Sequence, residues 1–375
     1  MGKYWPWACA ATLLLMGIGL SACHRAVTRP VAGLPVLPEA ALNPQVIPVK
    51  AQNTLRAHYF YVGAGMCHVV ECPGANAPVL LDDCGSTNTD GGLSKQQAVA
   101  AVQGVAAGHA VKVVLSHSDR DHGNYVPDIF PNPTPATVSM IWGGGSFANY
   151  EQPVRDWVRA ASQAGVQVRM DNFPNNGVVG FAAGWSNGGV EVPDLQCGTA
   201  RTYVLTVNST RGANAASMVL MLDNNGKTLI FPGDATGDTQ RQAVENAEEN
   251  GNPDNFLYTD VLELSHHGAE SNGSNDEAWA AATIPRHLVS SAGQSYNHPR
   301  CKAIKNYRDA IGVRLLWAPD HTADCGEDGG WWDDPANRGL AIFGTNSNGT
   351  LTVDVKANGN EPRTTIYCGQ NKCTQ

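Results

Sequence analysis

The chain has 375 residues, with 25 basic and 34 acidic side chains and a net charge of −9 at pH 7 when His is counted as neutral. This balance argues against broad electrostatic capture of nucleic acid, because such binding comes mostly from neutralisation of phosphates by Lys and Arg. The length is sufficient for one large domain with a sizeable core.

The N-terminal residues 1–22 predict an export signal. They contain one Lys, no acid and the apolar run ACAATLLLMGIGL, which is short for a membrane span and typical of a secretory leader. The following LSAC resembles a bacterial lipobox, which predicts that Cys23 is lipidated; an ordinary signal peptide cleaved at a small residue is the alternative. Residues 23–54 are rich in Pro and Ala and predict an extended tether, and residues 55–375 predict one domain. We therefore expect an exported lipoprotein, anchored to a membrane and facing the periplasm or the cell surface.

Strand-like runs open the predicted domain, helices and strands then alternate, and strand-like runs close it. The predicted strands lie at residues 58–62, 67–71, 79–83, 111–116, 228–233, 260–265, 287–291, 313–318, 340–345, 351–355 and 364–368. The predicted helices lie at residues 93–107, 147–163, 236–249, 274–282 and 298–311. Alternation on this scale predicts an α/β layered domain with two β-rich halves, each carrying helices.

Cys9 lies in the predicted export signal and Cys23 is the predicted lipidation site, which leaves eight of the ten cysteines in the predicted domain. An even number in an exported chain predicts disulfides. Short spacing favours the local pairs Cys67–Cys72 and Cys368–Cys373, although spacing alone does not determine connectivity. A cysteine zinc cluster is disfavoured, because no CxxC pair occurs and oxidation outside the cytoplasm competes with thiolate ligation.

Metal-ligand residue types follow three of the predicted strands. They are HSDRDH at 117–122, GD at 233–234 and HHG at 266–268, and the earlier strand end VLLDD adds Asp83. Side chains in such loops can converge on one point, and mixed nitrogen and oxygen donors suit Zn²⁺, Mn²⁺ or Fe. A solvated polar loop would explain any one of these motifs, but together they predict a metal centre.

The order of the motifs resembles the metallo-β-lactamase superfamily, specifically the hydrolase domain of the DNA-uptake competence protein ComEC and its stand-alone relatives. The resemblance covers about residues 55–355 and runs through DxG, HxDxDH, GD, HHG and then SAGQSYNHP at 291–299. Asn214 and Ser217 match the NxxS of that family. The usual third-motif histidine has no counterpart, because residues 123–233 contain no His.

This resemblance implies a metallo-β-lactamase αββα sandwich with two divalent metal ions, zinc or manganese, at the edge between the two sheets. The implied ligands are His117 and Asp119 for one ion, Asp121, His122 and one of His266 or His267 for the other, and Asp234 as a bridge. Asn214 or water would complete the coordination of the ion held by His117 and Asp119. His266 is favoured over His267 as ligand because it directly follows the predicted strand. Carboxylate-rich coordination favours Mn²⁺ more than an all-histidine site does. The remaining histidines on or beside predicted strands lack clustered acids and are not expected to be ligands: His58, His68, His109 and His287.

The same resemblance implies hydrolysis by metal-bound hydroxide, with Asp121 as ligand and proton relay and His298 as an electrophile beside the attacked group. Asp83 and Arg300 are candidates for support of the ligands or contact with substrate. A small-molecule or nucleic-acid phosphodiester is the favoured substrate, because the relatives act on DNA and His298 and Arg300 begin a predicted helix whose N-terminus attracts anions. A carboxylic ester, lactone or β-lactam is the alternative substrate. A binding lipoprotein that kept the fold without the reaction is the alternative class, and no protein partner is inferred.

Overall fold

The computed structural model describes residues 29–31, 47–174, 181, 185–186, 191–210, 212–313, 315–318, 321–357, 364–369 and 371–373. The predicted export signal, Cys23 and most of the predicted tether lie outside these residues. Among the described residues, no helix combines the length and apolar character that crossing a bilayer would require.

Strands and helices alternate through most of the described chain. The strands are β1 (Arg29–Val31), β2 (Thr54–Tyr59), β3 (Cys67–Glu71), β4 (Val79–Cys84), β5 (Val111–Leu115), β6 (Val138–Ser146), β7 (Gln167–Asp171), β8 (Arg201–Thr206), β9 (Val219–Asp223), β10 (Thr228–Phe231), β11 (Val261–Glu263), β12 (His287–Ser290), β13 (Asp324–Glu327), β14 (Gly330–Asp333), β15 (Ile342–Gly344), β16 (Leu351–Lys356), β17 (Thr364–Cys368) and β18 (Asn371–Lys372). The helices are α1 (Lys95–Ala106), α2 (Arg120–Gly123), α3 (Val126–Ile129), α4 (Gln152–Gln163), α5 (Gly237–Glu249), α6 (Glu277–Thr283), α7 (Cys301–Asp309) and α8 (Thr345–Asn348).

Two large sheets form the centre of the fold. The first has nine strands in the order β18-β17-β16-β2-β3-β4-β5-β6-β7, and the second has six in the order β15-β12-β11-β10-β9-β8. Neighbouring strands from β4 to β7 are parallel, and so are β10, β11, β12 and β15. The carboxyl ends of parallel strands share one edge of a sheet, which is where ligand sites form in α/β folds.

The two sheets pack face to face, and helices cover both outer faces. Leu80 and Val114 of the first sheet belong to the same buried cluster as Leu222, Phe231 and Val261 of the second. Helices α1, α3 and α4 cover the first sheet, and α5, α6 and α7 cover the second. Each large apolar side chain buried in this way contributes about 1.5–3 kcal/mol relative to an exposed one. The predicted αββα sandwich is confirmed.

Helix α4 illustrates why these segments form the outer layers. Its buried residues follow the spacing of one helical face: Val154, Trp157, Val158 and Ala161. Pro153 lies in the first turn, where the missing N–H of proline leaves no helical hydrogen bond unmade. The apolar stripe places the helix on the nine-stranded sheet and leaves its polar face in solvent.

Two segments differ from the sequence prediction. The described residues 313 and 315–318 do not form the predicted strand, since among them Trp317 makes only an isolated bridge to Leu340 and is 71% exposed. Val313 and Ala318 are nevertheless buried, so the segment packs on the core without forming a strand. Within the predicted tether, β1 pairs antiparallel with β14 in a small sheet ordered β1-β14-β13. Part of the tether is therefore attached to the domain.

Four disulfides join the eight cysteines of the domain: Cys67–Cys84, Cys72–Cys197, Cys301–Cys325 and Cys368–Cys373. The predicted pair Cys368–Cys373 is confirmed, and the predicted pair Cys67–Cys72 is wrong. Cys67 begins β3 and Cys72 follows its last residue. At about 3.3 Å per residue an extended strand separates their Cα atoms by about 16 Å, whereas a disulfide spans less than about 7 Å.

Candidate metal centre

The predicted ligands meet at one edge of the sandwich, where β4, β5, β10 and β11 end. Gly233, with φ 54°, turns the chain after β10, and a Cβ at this position would lie 2.6 Å from the Cβ of Ser116. Only glycine allows this close approach of the two loops. The approach brings Asp234 against His117 and His122, which follow β5.

Four buried atoms without hydrogen-bond partners face each other at this edge. They are the Nε2 atoms of His117, His122 and His267, and Oδ1 of Asp234. His122 Nε2 lies 3.2 Å from Asp234 Oδ1, and His267 Nε2 lies 3.7 Å from the same oxygen. Donors bound to one tetrahedral ion at about 2.0–2.2 Å are themselves about 3.3–3.6 Å apart, so these residues fit a metal ion.

The first ligand set consists of Asp121, His122, His267 and the Oδ1 side of Asp234. Asp121 Oδ2 lies 3.6 Å from His267 Nε2, and the donor atoms of Asp121, His122 and His267 all fall within 4.8 Å of one another. The sequence prediction favoured His266 in this set, whereas the geometry places His267 there. Regular extension of β11 would bring the earlier histidine to the site, but the chain instead turns sharply at both residues.

The second ligand set surrounds Oδ2 of Asp234. This oxygen lies 3.8 Å from His117 Nε2 and 3.5 Å from His266 Nε2, and His117 Nε2 is 3.5 Å from Asp119 Oδ2. Asn214 Nδ2 lies 3.5 Å from Asp234 Oδ2 and 3.2 Å from His266 Nε2. Asp234 therefore presents one oxygen to each set, as a bridging ligand does. His266 and Asn214 lie near its Oδ2, in the set that contains His117 and Asp119.

Hydrogen bonds behind the ligands orient their rings. His122 Nδ1 lies 2.7 Å from Asp83 Oδ2, and His267 Nδ1 donates to the carbonyl oxygen of Ser291 at 2.7 Å. Asp83 also accepts from the backbone N–H of Ser116 at 2.7 Å, and Ser116 Oγ lies 3.0 Å from His117 Nδ1. With Nδ1 held in this way, Nε2 of each ring is free to bind metal.

Ser116 and Ser291 are the two supporting residues that sequence analysis did not predict as part of the site. Ser116 directly precedes the HxDxDH motif, and that position is its only signal. Ser291 opens the SAGQSYNHP motif, but it acts on His267 through its backbone carbonyl, which no residue type encodes.

Neighbouring charges lower the pKa values of two carboxylates of the site, those of Asp121 and Asp234. Burial alone would raise the pKa of Asp121, but the hydrogen bond with His267 and the charges of His122 and His267 lower it to about 2. Burial would likewise raise the pKa of Asp234, yet the charges of His122, His266 and His267 hold it well below its usual range. The site therefore carries anionic oxygens that attract cations at neutral pH.

Three residues of the site have backbone conformations that L-residues rarely adopt. The φ angles are 56° at Asp83, 51° at His266 and 57° at His267. Each such residue costs on the order of 1–3 kcal/mol and persists only where the surrounding structure holds it. In this fold the unfavourable conformations coincide with two ligands and a residue that supports a third.

His298 and Arg300 belong to neither ligand set, but each contacts a residue of the HHG segment. The ring centroids of His266 and His298 are 6.2 Å apart, and Arg300 donates its backbone N–H to Gly268 O at 2.9 Å. Burial and the charges of His267, His266 and Arg300 lower the pKa of His298 to about 3, so its imidazole is neutral. Arg300 directly precedes α7. Its guanidinium lies 3.4 Å from Asp328 Oδ1.

No protein-family model matches the chain. Among curated proteins it is similar to the competence protein ComA of Neisseria gonorrhoeae, with 26% identity over 311 residues, which is 82% of this chain. The match spans only 36% of the length of ComA.

Several solved structures share a similarity in fold at low sequence identity. The metallo-β-lactamase fold protein YhfI of Bacillus subtilis has 12% identity and a TM-score of 0.39 over 69% of this chain and 95% of that chain. The diiron β-hydroxylase CmlA of Streptomyces venezuelae has 12% identity and a TM-score of 0.43 over 82% and 55%. A diphosphatase of the PhnP family has 13% identity and a TM-score of 0.33 over 64% and 87%.

Two packed sheets between helices, with histidine and carboxylate sets on both sides of one aspartate at the strand ends, form the αββα sandwich of the metallo-β-lactamase fold with a site that fits metal ions. The chain is similar to ComA over most of its length, and the order of its motifs resembles that of ComEC-like hydrolase domains.

Proposed function

We propose that the chain is an extracytoplasmic, metal-dependent phosphodiesterase that acts on a small-molecule or nucleic-acid diester. The observation that carries this proposal is the convergence of four buried, unpartnered donor atoms on Asp234, beside a helix N-terminus. Two divalent ions in such a site, zinc or manganese, lower the pKa of water and withdraw charge from an attacked phosphoryl oxygen.

The ligand roles follow from the two sets described above. Asp121, His122 and His267 would hold one ion, His117, Asp119 and His266 the other, and Asp234 both. The low pKa of Asp121 suits a ligand, which must be anionic, better than a proton relay, whose pKa should lie near the working pH. We therefore assign Asp121 to metal binding and leave proton transfer to groups on the open side of the site.

The substrate side is formed by the segment that leads into α7. His298 is neutral and can donate a hydrogen bond to a developing anion without repelling the metal ions. Arg300 is paired with Asp328, whose side chain is fully exposed, so a phosphate can compete for the guanidinium at little cost. The N-terminus of α7 adds a favourable field for an anion. These features favour a phosphodiester over a neutral lactone carbonyl.

The location outside the cytoplasm is part of the same proposal. Four disulfides join all eight cysteines of the domain, and disulfides persist mainly in oxidising compartments. The LSAC sequence ending at Cys23 supports a lipid anchor.

A substrate screen of the detergent-solubilised full chain tests the reaction. After loading with Zn²⁺ or Mn²⁺, the chain is assayed with bis(p-nitrophenyl) phosphate, single- and double-stranded DNA, an acyl lactone and a β-lactam. We expect metal-dependent cleavage of diesters and a loss of turnover of about 10-fold or more in His298→Ala and Arg300→Ala. Metal content should be unchanged in both variants.

Two outcomes would contradict the proposal. Ready turnover of lactones or β-lactams with all diesters left intact would replace it by the alternative hydrolase function. A fully loaded chain that cleaves none of the substrates would support a binding protein that retains the fold.

A further inference from the structure

Three ionisable side chains are completely buried between the two sheets, behind the metal centre. His68 on β3, Asp82 on β4 and Glu263 on β11 are each at most 1% exposed. His68 Nε2 lies 3.0 Å from Glu263 Oε1, and His68 Nδ1 lies 3.5 Å from Asp82 Oδ2. The imidazole therefore connects a carboxylate of one sheet to a carboxylate of the other.

This arrangement is not a third metal site. The two carboxylates contact opposite nitrogens of the same ring, so their oxygens face His68 from two sides and do not share one point with it. Tyr59 packs on the ring with centroids 4.8 Å apart, and Phe231 packs at 5.8 Å. The imidazole is enclosed by its two acidic partners and two aromatic rings.

Hydrogen bonding links this cluster to one ligand of the metal centre. His68 Nε2 lies 2.8 Å from Ser291 Oγ, and the carbonyl of the same serine accepts from His267 Nδ1 at 2.7 Å. Ser291 therefore contacts His68 with its side chain and His267 with its backbone. A shift of Ser291 would change the direction in which His267 Nε2 points.

A second connection runs through β4. Asp82 is adjacent in the chain to Asp83, which holds His122 Nδ1 at 2.7 Å. Asp82 contacts the buried cluster, and Asp83, whose φ of 56° departs from regular strand geometry, contacts the ligand. The cluster therefore contacts directly the residue that holds His267, and it contacts the chain neighbour of the residue that holds His122.

Stability alone does not account for such a cluster. Burying charged groups costs desolvation free energy, and replacing a buried ion pair with apolar residues of similar volume is often neutral or stabilising. Groups that hold metal ligands in place are a known reason to keep buried polar contacts, and their loss lowers metal affinity by about 10–100-fold.

We propose that His68 is a positioning residue of the metal centre: with Asp82 and Glu263 it fixes Ser291, and through Ser291 it fixes His267 for the ion of the Asp121 set. The inference rests on the proposed two-metal site. It predicts a selective effect, because neither ligand residue His117 nor Asp119 is connected to Ser291 by any described contact.

Cobalt binding by the full chain provides the test. Co²⁺ titrations followed by visible absorption and calorimetry give the stoichiometry and the affinity of each site without an activity assay. In His68→Gln we expect one ion to bind as in the wild type and the second to bind about 10–100-fold more weakly, with an altered absorption band for that ion.

His58→Gln is the matched control, since His58 is also a buried strand histidine. Its partners are Glu71, at 2.9 Å, and Thr352, at 3.0 Å, and neither belongs to the metal centre. This variant should bind both ions as the wild type does.

Substitutions at Ser291 keep the inference testable if His68→Gln does not fold. Ser291→Ala removes the hydroxyl and keeps the carbonyl, so it should weaken the same ion, and Ser291→Thr should restore the affinity. The losses in His68→Gln and Ser291→Ala should also be less than additive in the double variant, because both act on one contact.

The outcomes separate the inference from the function on which it rests. If both His68→Gln and Ser291→Ala bind two ions with wild-type affinity, the positioning role of His68 is wrong and the metal centre is not affected. A wild-type chain that binds no Co²⁺ would overturn the metal centre and the inference with it.

Discussion

Asp234 is the residue on which both ligand sets depend, because each of its oxygens faces a different set of histidines. We expect Asp234→Asn to reduce the metal content from about two ions per chain to less than one, since an amide supplies one neutral oxygen in place of two anionic ones. Elemental analysis of protein purified under metal-replete conditions measures this.

The matched control for that variant is Asp238→Asn. Asp238 lies four residues later on α5, is exposed and pairs with Arg241. It should retain the wild-type metal content. Equal metal content in the wild type, Asp234→Asn and Asp238→Asn would contradict the bridging role.

The buried His68 also predicts a pH dependence of stability. Burial alone would lower the pKa of His68, but the charge of Glu263 and the hydrogen bond and charge of Asp82 raise it to about 9. A histidine with a raised folded-state pKa stabilises the fold below its unfolded value of about 6.5, and this contribution is lost as the pH rises through the folded value. The metal-free chain should therefore become less stable between pH 6.5 and pH 9.

Denaturant unfolding at both ends of this range measures the effect. Between pH 6.5 and pH 9, the free energy of unfolding of the wild type should fall by on the order of 1–3 kcal/mol more than that of His68→Gln. Identical losses in the two proteins would show that His68 is not charged in the fold.

The sequence was sufficient to predict which residue types gather at the site, because each motif directly follows a strand. It was not sufficient to choose between His266 and His267, since the choice depends on two consecutive positive φ angles that no pattern announces. The sequence also did not reveal the acidic neighbours of His68. The contact with Glu263 comes from the packing of one sheet on the other, and these residues are far apart in the chain.

At the scale of elements, the disulfides give a test of the topology. Cys72–Cys197 joins residues 125 positions apart, whereas Cys368–Cys373 joins residues 5 positions apart. Because a cross-link restricts the unfolded chain more when its loop is longer, we expect Cys72→Ser/Cys197→Ser to lose about 2–5 kcal/mol of unfolding free energy. Cys368→Ser/Cys373→Ser is the control and should lose less. Urea unfolding compares them, and equal losses would contradict the pairing.

Predicted helices agreed with the structure where an apolar stripe meets a sheet, as in α4 and α5. The strand predicted at 313–318 is not found among the described residues, because burial of Val313 and Ala318 in the core does not require strand pairing. The disulfide predicted between Cys67 and Cys72 from their short spacing was also wrong, because the two residues lie at opposite ends of one strand. Both errors concern which surfaces meet in space, and a single sequence contains this information only indirectly.

At the scale of the whole molecule, the lipobox makes a prediction about location. The full chain should fractionate with membranes, and Cys23→Ser should release it, because the substituted side chain has no thiol to carry the lipid. Cell fractionation and labelling with a radioactive fatty acid measure this. A Cys23→Ser protein that stays with the membranes would exclude the lipid anchor.

The pairing of β1 with β14 limits how far an anchored domain could stand from its membrane. Arg29, which is six positions after Cys23, pairs with Asp333. At no more than about 3.3–3.6 Å per residue, the connection between lipid and domain would reach about 20 Å at most. The domain could tilt about this short connection but could not rise farther from the headgroups.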